Sequence, residues 1–182
     1  MSSLTAPLRF QAPLLRPAQP RNASWSFLHV PAAASARLPS RGLVTVAGTL
    51  AGASFQATLS PDGQGSHWLK VERALREAAG VAVGDTVELA IAPAVEEPEP
   101  ALPADLRRAL AAHPAAKAQW ASLTPVARRD WIFWIGSGKQ AQTRTRRIAA
   151  TCDMLASGKR RACCFDRSGR WSKGLSAPEP AA

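Results

Sequence analysis

The sequence has no tyrosine and only three histidines and three cysteines, and these shortages limit the chemistry available to it. Cys163 and Cys164 are adjacent and Cys152 stands alone, so the CxxC spacing of zinc sites does not occur. An odd number of cysteines is a poor disulfide framework and favours reduced thiols. The sequence also lacks a GxSxG elbow and a phosphate loop followed by GK[ST]. We therefore predict no metal, no cofactor and no catalytic residues, and expect that the protein is not an enzyme.

Long apolar stretches are also missing. No segment approaches the roughly 18 consecutive apolar residues of a transmembrane helix. The N-terminal sequence MSSLTAPLRFQAPLLRPAQP lacks the charged start, apolar core and cleavage site of a signal peptide. These absences predict a cytoplasmic protein, and 182 residues suffice for one ordinary domain or two small ones.

Charge is present in excess of one sign and is unevenly distributed. The chain carries a formal net charge of +10, yet residues 1–102 hold eight basic and eight acidic residues. Residues 128–173 hold twelve basic and three acidic residues, so nearly all the excess lies in the last third. This asymmetry predicts two modules, the second with a basic face or tail.

The apolar patterns divide the chain in the same way. Residues 8–92 show short alternating or apolar runs between turn signals, which are typical of strands in a small β-barrel. Residues 93–103 contain four prolines and three glutamates and indicate an extended linker. Residues 104–161 show helical spacing and predict a small all-α domain. Residues 162–182 are basic and then rich in proline and alanine, which favours a disordered tail.

Within the barrel region, LKVERALREAAGVAVGDTVELAI, residues 69–91, reads as a strand, an amphipathic helix, a Gly-Asp turn and a strand. Gly80 fits a helix C-cap. FLHVPAAASARLPSRGLVTVAG, residues 27–48, is a fainter copy, so we predict two β–α–β halves in one closed barrel. His29 and His67 occupy matching places near strand ends in the two halves and, with Trp25 and Trp68, are candidates to line a shared cavity. Hydrogen-bonding histidines are the alternative.

The residues after the linker resemble a known bacterial family. LTPVARRDWIFWIGSGKQAQTRTRRIAATCDMLASGKR, residues 123–160, resembles the YdeI/OmpD-associated family, also called the OmdA or bacteriocin-protection family. The distinctive residues are Trp134-Ile135, Lys139, Thr143-Arg144 and Arg147-Ile148; the family usually has Ala where Gly138 stands. WSFLHVP and the segment from VTVAGTL to GDTVEL resemble the domain of unknown function family 1905, which often precedes it.

The resemblance implies an α+β protein of two modules. The first family is similar in fold to double-split barrels of the AbrB/MazE type, which implies a small closed barrel capped by helices. Some of those barrels read DNA with a basic surface. The barrel region here is neutral and would gain little from the counterion release that drives non-specific DNA binding, so we do not expect it to bind DNA.

Three hypotheses about function stay open at this point. The first is a non-catalytic binding or stress-adaptation protein, as the resemblance implies, with Lys139, Thr143, Arg144 and Arg147 contacting an acidic protein or anionic ligand. The second is nucleic-acid binding by the basic C-terminal module, although no known reading motif is present. The third is a small-molecule-binding barrel, with Trp25, His29, His67 and Trp68 around its cavity. A solvated helix face is the simplest alternative for the basic residues, and a helix cap for Thr143.

Overall fold

The structure is a computed structural model that describes residues 6–138, 140–162 and 175–182. It divides into two compact units. Among the described residues, the first unit comprises those up to Val95 together with 175–182, and the second comprises those from Glu96 to Ala162. In element type the structure is α+β, with a barrel in the first unit and helices in the second.

The first unit is a nearly closed antiparallel barrel of six strands in the order β1-β6-β3-β4-β5-β2. A bridge between Leu15 and Phe27 joins the segment after β1 to β2 at the open edge. Two short helices interrupt the strands. The elements are β1 Leu8–Pro13, β2 Ser26–Val30, α1 Ala32–Ser35, β3 Val44–Leu50, β4 Ala53–Pro61, β5 His67–Val71, α2 Arg73–Ala79 and β6 Thr86–Pro93.

Two similar halves build this barrel, as the repeated pattern predicts. The elements β1-β2-α1-β3 and β4-β5-α2-β6 follow the same order. The counterparts are β1 and β4, β2 and β5, and β3 and β6. With the Leu15–Phe27 bridge closing the order between β2 and β1, each strand has neighbours that are the counterparts of its counterpart's neighbours. Leu28 pairs with Leu69 where β2 meets β5. The two halves therefore meet at equivalent strands.

Turn and cap residues define where these strands and helices end. Ala51 and Gly52 have φ of 45° and 85°, and the two positive values match the type I′ turn that suits a two-residue hairpin. Gly80 ends α2 in the left-handed region, with φ of 65° and ψ of 31°. Alternate leucines and valines of the strands fill one apolar core, in which Leu28, Leu69 and Leu89 are fully or almost fully buried.

The second unit contains four helices in its described part: α3 Ala104–Ala111, α4 Pro114–Ala121, α5 Pro125–Gly136 and α6 Ala141–Ala156. Thr124 caps α5, because its hydroxyl accepts a hydrogen bond from the Ala127 N–H at 3.2 Å, and Pro125 occupies the first turn. Trp131, Ile135, Leu106 and Leu155 form its buried interior.

Two segments without helix or strand correspond to the predicted linker and to the end of the predicted tail, of which residues 163–174 lie outside the described residues. Glu97 of the linker region forms an ion pair with Arg129 on α5 at 2.9 Å, and both side chains are less than 15% exposed. Residues 175–182 lie against the barrel, where Ala181 N–H donates to the Arg16 carbonyl at 2.8 Å. A proline-rich composition removes backbone donors but leaves carbonyls and the remaining N–H groups free to pair.

Candidate functional site

The described members of the predicted contact set lie at the connection between α5 and α6, which we call the corner, residues 136–147. The chain leaves α5 at Gly136 and enters α6 at Ala141. Lys139 lies outside the described residues, so the structure gives no position for it. Thr143, Arg144 and Arg147 all lie on the first two turns of α6. The sequence spacing therefore places the described members of the set at one end of one helix.

Arg147 binds the end of α5. Its Nη1 donates to the Trp134 carbonyl at 2.5 Å and to the Ser137 hydroxyl at 2.8 Å. Its guanidinium also lies 5.2 Å from the centre of the Trp134 ring. The last carbonyls of a helix lack intrahelical partners and carry partial negative charge, so a cation there satisfies both needs. Arg147 thus stabilises the corner from inside the unit.

Arg144 reaches a third helix. Its Nε and Nη2 donate to both carboxylate oxygens of Asp105 on α3, at 2.7 and 2.9 Å. This bidentate hydrogen bond lowers the pKa of Asp105 from 3.8 to about 2, and the Leu106 N–H adds to the effect. The same pairing raises the pKa of Arg144. About a third of each side chain is exposed, so solvent screens part of the attraction.

Thr143 does not cap α6. The N-cap of α6 is Gln140, and no side chain accepts a hydrogen bond there. Thr143 instead packs against Gly138, where an added Cβ would lie 3.0 Å from its methyl carbon. An alanine in place of Gly138 would thus require this side chain to shift by a few tenths of an ångström.

The corner combines internal contacts with donors that stay available. In Arg144 the two nitrogens bound to Asp105 leave Nη1 without a bond to any described residue, beside Gly136. The first turn of α6 contains no acidic residue, and its N–H groups carry partial positive charge. Such a guanidinium, fixed by a carboxylate and partly exposed, is suited to donate to an anionic group.

The histidines of the barrel do not meet. His67 is fully buried; its Nε2 lies 2.8 Å from the Gly42 carbonyl and its Nδ1 lies 2.7 Å from the Ser35 hydroxyl. Because a carbonyl can only accept, Nε2 carries the proton and Nδ1 accepts from Ser35. Burial lowers the pKa of His67 below 6.5, opposed by the Gly42 hydrogen bond. Both ring nitrogens of His67 therefore have hydrogen-bond partners, as in the alternative of a hydrogen-bonding histidine.

The prediction that His29, His67, Trp25 and Trp68 line one cavity is wrong. His67 and Trp68 are neighbours on β5, so their side chains point to opposite faces of the sheet. His29 pairs with Trp68 and is exposed. Trp25 and Trp68 have ring centres 6.5 Å apart outside the barrel, with Lys70 over Trp25 at 5.2 Å.

The pairing of the halves explains this error. Leu28 and Leu69 are equivalent, so the counterpart of His67 is Ser26 and the counterpart of His29 is Lys70. Ser26 and His67 are both fully buried polar residues, which fits their equivalence. The presence of two histidines near strand ends does not show which face of the sheet their side chains occupy. A shift of one residue along a strand moves a side chain to the opposite face.

Sequence reasoning missed a polar cluster around Arg129 and Asp130 on α5. Arg129 donates to Asp130 and to Glu97, at 2.9 Å in both cases. Burial raises the pKa of Asp130, and the neighbouring Arg129 opposes that change. Asp130 also lines a small cavity of about 150 Å³ with Arg160 and Arg161. No spacing rule connects these positions, since Glu97 lies 32 residues from Arg129.

Other chemistry receives no support from the described residues. Within residues 6–138, 140–162 and 175–182, no three His, Cys, Asp or Glu side chains gather as metal ligands. Burial raises the pKa of the Cys152 thiol, which disfavours the reactive thiolate. Cys163 and Cys164 lie outside the described residues. None of the helices in that part of the chain has both the length and the apolar character needed to span a bilayer.

Comparison with known families assigns both units. Residues 10–91 match the family described as Domain of unknown function (DUF1905). Residues 99–158 match the family described as OmdA: Bacteriocin-protection, YdeI or OmpD-Associated. The first match covers the barrel strands from within β1 to within β6, and the second covers α3 to α6. No curated protein matches the chain.

Proposed function

We propose that this chain is a non-catalytic binding protein. Its residues 99–158 match the YdeI or OmpD-associated (OmdA) family, and residues 10–91 match DUF1905. In this proposal the corner of the OmdA domain contacts an acidic protein or anionic ligand in the cytoplasm. The family description names bacteriocin protection, and binding of an acidic partner during envelope stress is the role we infer from it.

One observation carries the proposal, namely the partly exposed Arg144 guanidinium at the start of α6. Asp105 holds it by two bonds, so little rotamer entropy is lost when an anion binds. Lys139, Arg146 and Arg147 lie within nine residues of the chain and add positive charge. Asp153, near the other end, is the only acidic residue on α6.

The internal contacts of Arg147 and Thr143 narrow the site. Arg147 donates from one nitrogen to the end of α5, and its guanidinium lies over the Trp134 ring. Its first role is therefore to position the corner. Thr143 packs against Gly138. In the proposal Arg144 makes a direct contact with the anionic partner, and Lys139, five positions earlier in the sequence, is its second donor. Thr143 and Arg147 hold the first turns of α6, which carry Arg144.

A charge-matched pair of full-length variants tests this proposal. Lys139→Ala combined with Arg144→Lys removes one charge and the forked geometry at the corner. Lys117→Ala combined with Arg108→Lys makes the same change at exposed residues of α4 and α3. The probe is a labelled poly-glutamate peptide, followed by fluorescence anisotropy at two salt concentrations. We expect about tenfold weaker binding for the corner variant and little change for its control, because charge-assisted bonds contribute roughly 1.5–3 kcal/mol each.

Equal losses in the two variants would mean that only the overall charge attracts the peptide and would overturn the corner site. Labelled duplex DNA and single-stranded RNA are titrated in parallel. Much tighter binding of nucleic acid than of the peptide, weakening steeply with salt, would replace the acidic protein by a nucleic acid as the partner.

A further inference from the structure

The surface of the barrel is already occupied by one extended segment, residues 175–182 of the chain itself, which we call the tail strand. Ala18 N–H donates to the Glu179 carbonyl at 2.7 Å, and Ala181 N–H donates to the Arg16 carbonyl at 2.8 Å. Ala177 N–H donates to the Asp62 carbonyl at 3.3 Å. These bonds pair main chain with main chain, which is how extended peptides add to sheet edges.

The pairing accepts proline at defined positions. Pro17 and Pro180 lie opposite each other in an antiparallel bridge whose hydrogen bonds come from the residues on either side. In such a non-hydrogen-bonded pair the N–H of the central residue points away, so proline costs no bond. The two tail-strand residues whose N–H groups donate to barrel carbonyls, at positions 177 and 181, are both alanine. The surface therefore suits an extended segment in which proline alternates with residues that keep their N–H.

Gly63 shows how closely the tail strand approaches. An added Cβ at Gly63 would lie 2.2 Å from the Leu175 carbonyl oxygen, and Gly63 has a φ of 79°. Gly65 in the same loop has a φ of 88°, but its added Cβ would meet nothing within 4 Å. Gly63 thus permits a backbone contact that any side chain would block.

The tail strand ends beside a cavity of about 570 Å³, a volume within the usual range for ligand pockets. Leu14, Leu15, Pro17 and Val83 give it apolar walls, and Arg16 and Arg21 are its charged residues. Arg16 Nη2 donates to the Arg21 carbonyl at 2.8 Å, which holds it at the cavity. Among the described residues that line the cavity, none has an acidic side chain. An acidic side chain following the strand would therefore meet two arginines.

We propose that this surface is a docking site for an extended proline-containing segment of another protein, with an acidic residue at the position of Ala182, and that the tail strand is its built-in competitor. The main-chain bonds to Arg16, Ala18 and Asp62 supply affinity, and Arg16 and Arg21 select the acidic residue. An intramolecular competitor acts at an effective concentration that reaches the millimolar range. A partner consequently binds well only when it displaces the tail strand or when that strand is weakened.

The test uses full-length protein and a labelled peptide, acetyl-APEPAE-amide. Ala177→Pro with Ala181→Pro removes the two donors of the tail strand and leaves the docking surface unchanged. Pro178→Ala with Pro180→Ala is the matched control, because it alters two residues of the same strand and keeps both donors. We expect the peptide to bind the first variant at least tenfold more tightly than the control or wild type. A peptide ending in lysine should bind at least fivefold more weakly, and Arg16→Gln with Arg21→Gln should remove that difference.

Gly63→Ala provides a second way to release the tail strand, because the peptide begins after the position of Leu175 and avoids the blocked contact. It should bind the peptide more tightly than Gly65→Ala does. Equal peptide affinity for wild type and all tail variants would overturn the proposal. A wild-type dimer that the double-proline variant abolishes, without peptide binding, would also overturn it and identify a second copy as the occupant.

Discussion

His67 is the buried residue whose ionisation bears most directly on barrel stability. Its folded pKa is lowered, so its contribution is fully present above the ordinary value of 6.5 and is lost as pH falls through the folded pKa. We expect urea unfolding to show falling stability of wild type below about pH 6.5. His67→Gln should reduce that dependence and lower the free energy of unfolding by about 1–3 kcal/mol near neutral pH, since Gly42 or Ser35 loses a buried partner.

His29→Gln is the control for this change, because His29 is exposed on the outer face. We expect it to unfold near the wild-type urea concentration at neutral pH. An unchanged pH dependence in His67→Gln would mean that another group causes the loss of barrel stability at acid pH.

The Asp105–Arg144 pair makes the stability of the helical unit depend on pH in a lower range. The pKa of Asp105 is lowered to about 2, so its contribution is present above 3.8 and is lost as pH falls toward 2. We expect Asp105→Asn to destabilise the unit by only about 0.5–1 kcal/mol at neutral pH, because the pair is about one-third exposed. The measurement is a double-mutant cycle with Arg144→Gln, followed by urea unfolding. A coupling energy near zero would show that the bidentate pair adds nothing to stability.

Among the elements, the β3–β4 hairpin carries the clearest conformational strain. Ala51 has a φ of 45°, a region that costs a residue with a Cβ roughly 1–2 kcal/mol relative to glycine. We expect Ala51→Gly to raise the free energy of unfolding by about 0.5–1 kcal/mol, because part of the gain is offset by unfolded-chain entropy. Thermal or urea unfolding measures it. Ala53→Gly, at the start of β4, is the control and should lower stability.

The same elements show what the sequence can predict. Turn and cap residues act within a few positions, so Gly80 marked the end of α2 correctly. The repeated β–α–β order was likewise readable. Which side of a strand a residue faces depends on register, and this is why His29 and His67 were wrongly placed together.

The candidate site was readable only in part. The spacing of Arg144 and Arg147 places both on one helix, as α6 has them. Their partners are Asp105, 39 positions away, and the carbonyl of Trp134. Pairing over such separations is decided by how helices pack, and a single sequence contains no local signal for it. The internal contacts of Arg144 and Arg147 therefore came from the structure.

For the molecule as a whole, the charge distribution and the contacts of the chain place the boundary between the two units differently. The basic excess lies in the last third of the sequence, while the barrel region is neutral. Yet the tail strand, at residues 175–182, belongs with the barrel and not with the helices. The helical unit is therefore an insertion between two parts of the barrel unit. Docking of the tail strand links barrel stability to a segment far away in the sequence.

That link predicts a difference between two glycines of one loop. Gly63→Ala and Gly65→Ala both place a Cβ at a φ near 80–90°, so both strain the loop by about 1–2 kcal/mol. Only Gly63→Ala also meets the Leu175 carbonyl. We expect hydrogen exchange at the Ala181 and Ala18 amides to accelerate strongly in Gly63→Ala and to stay near wild type in Gly65→Ala, because those amides are protected only while the tail strand is docked. Equal acceleration in both variants would mean that loop strain alone releases the strand.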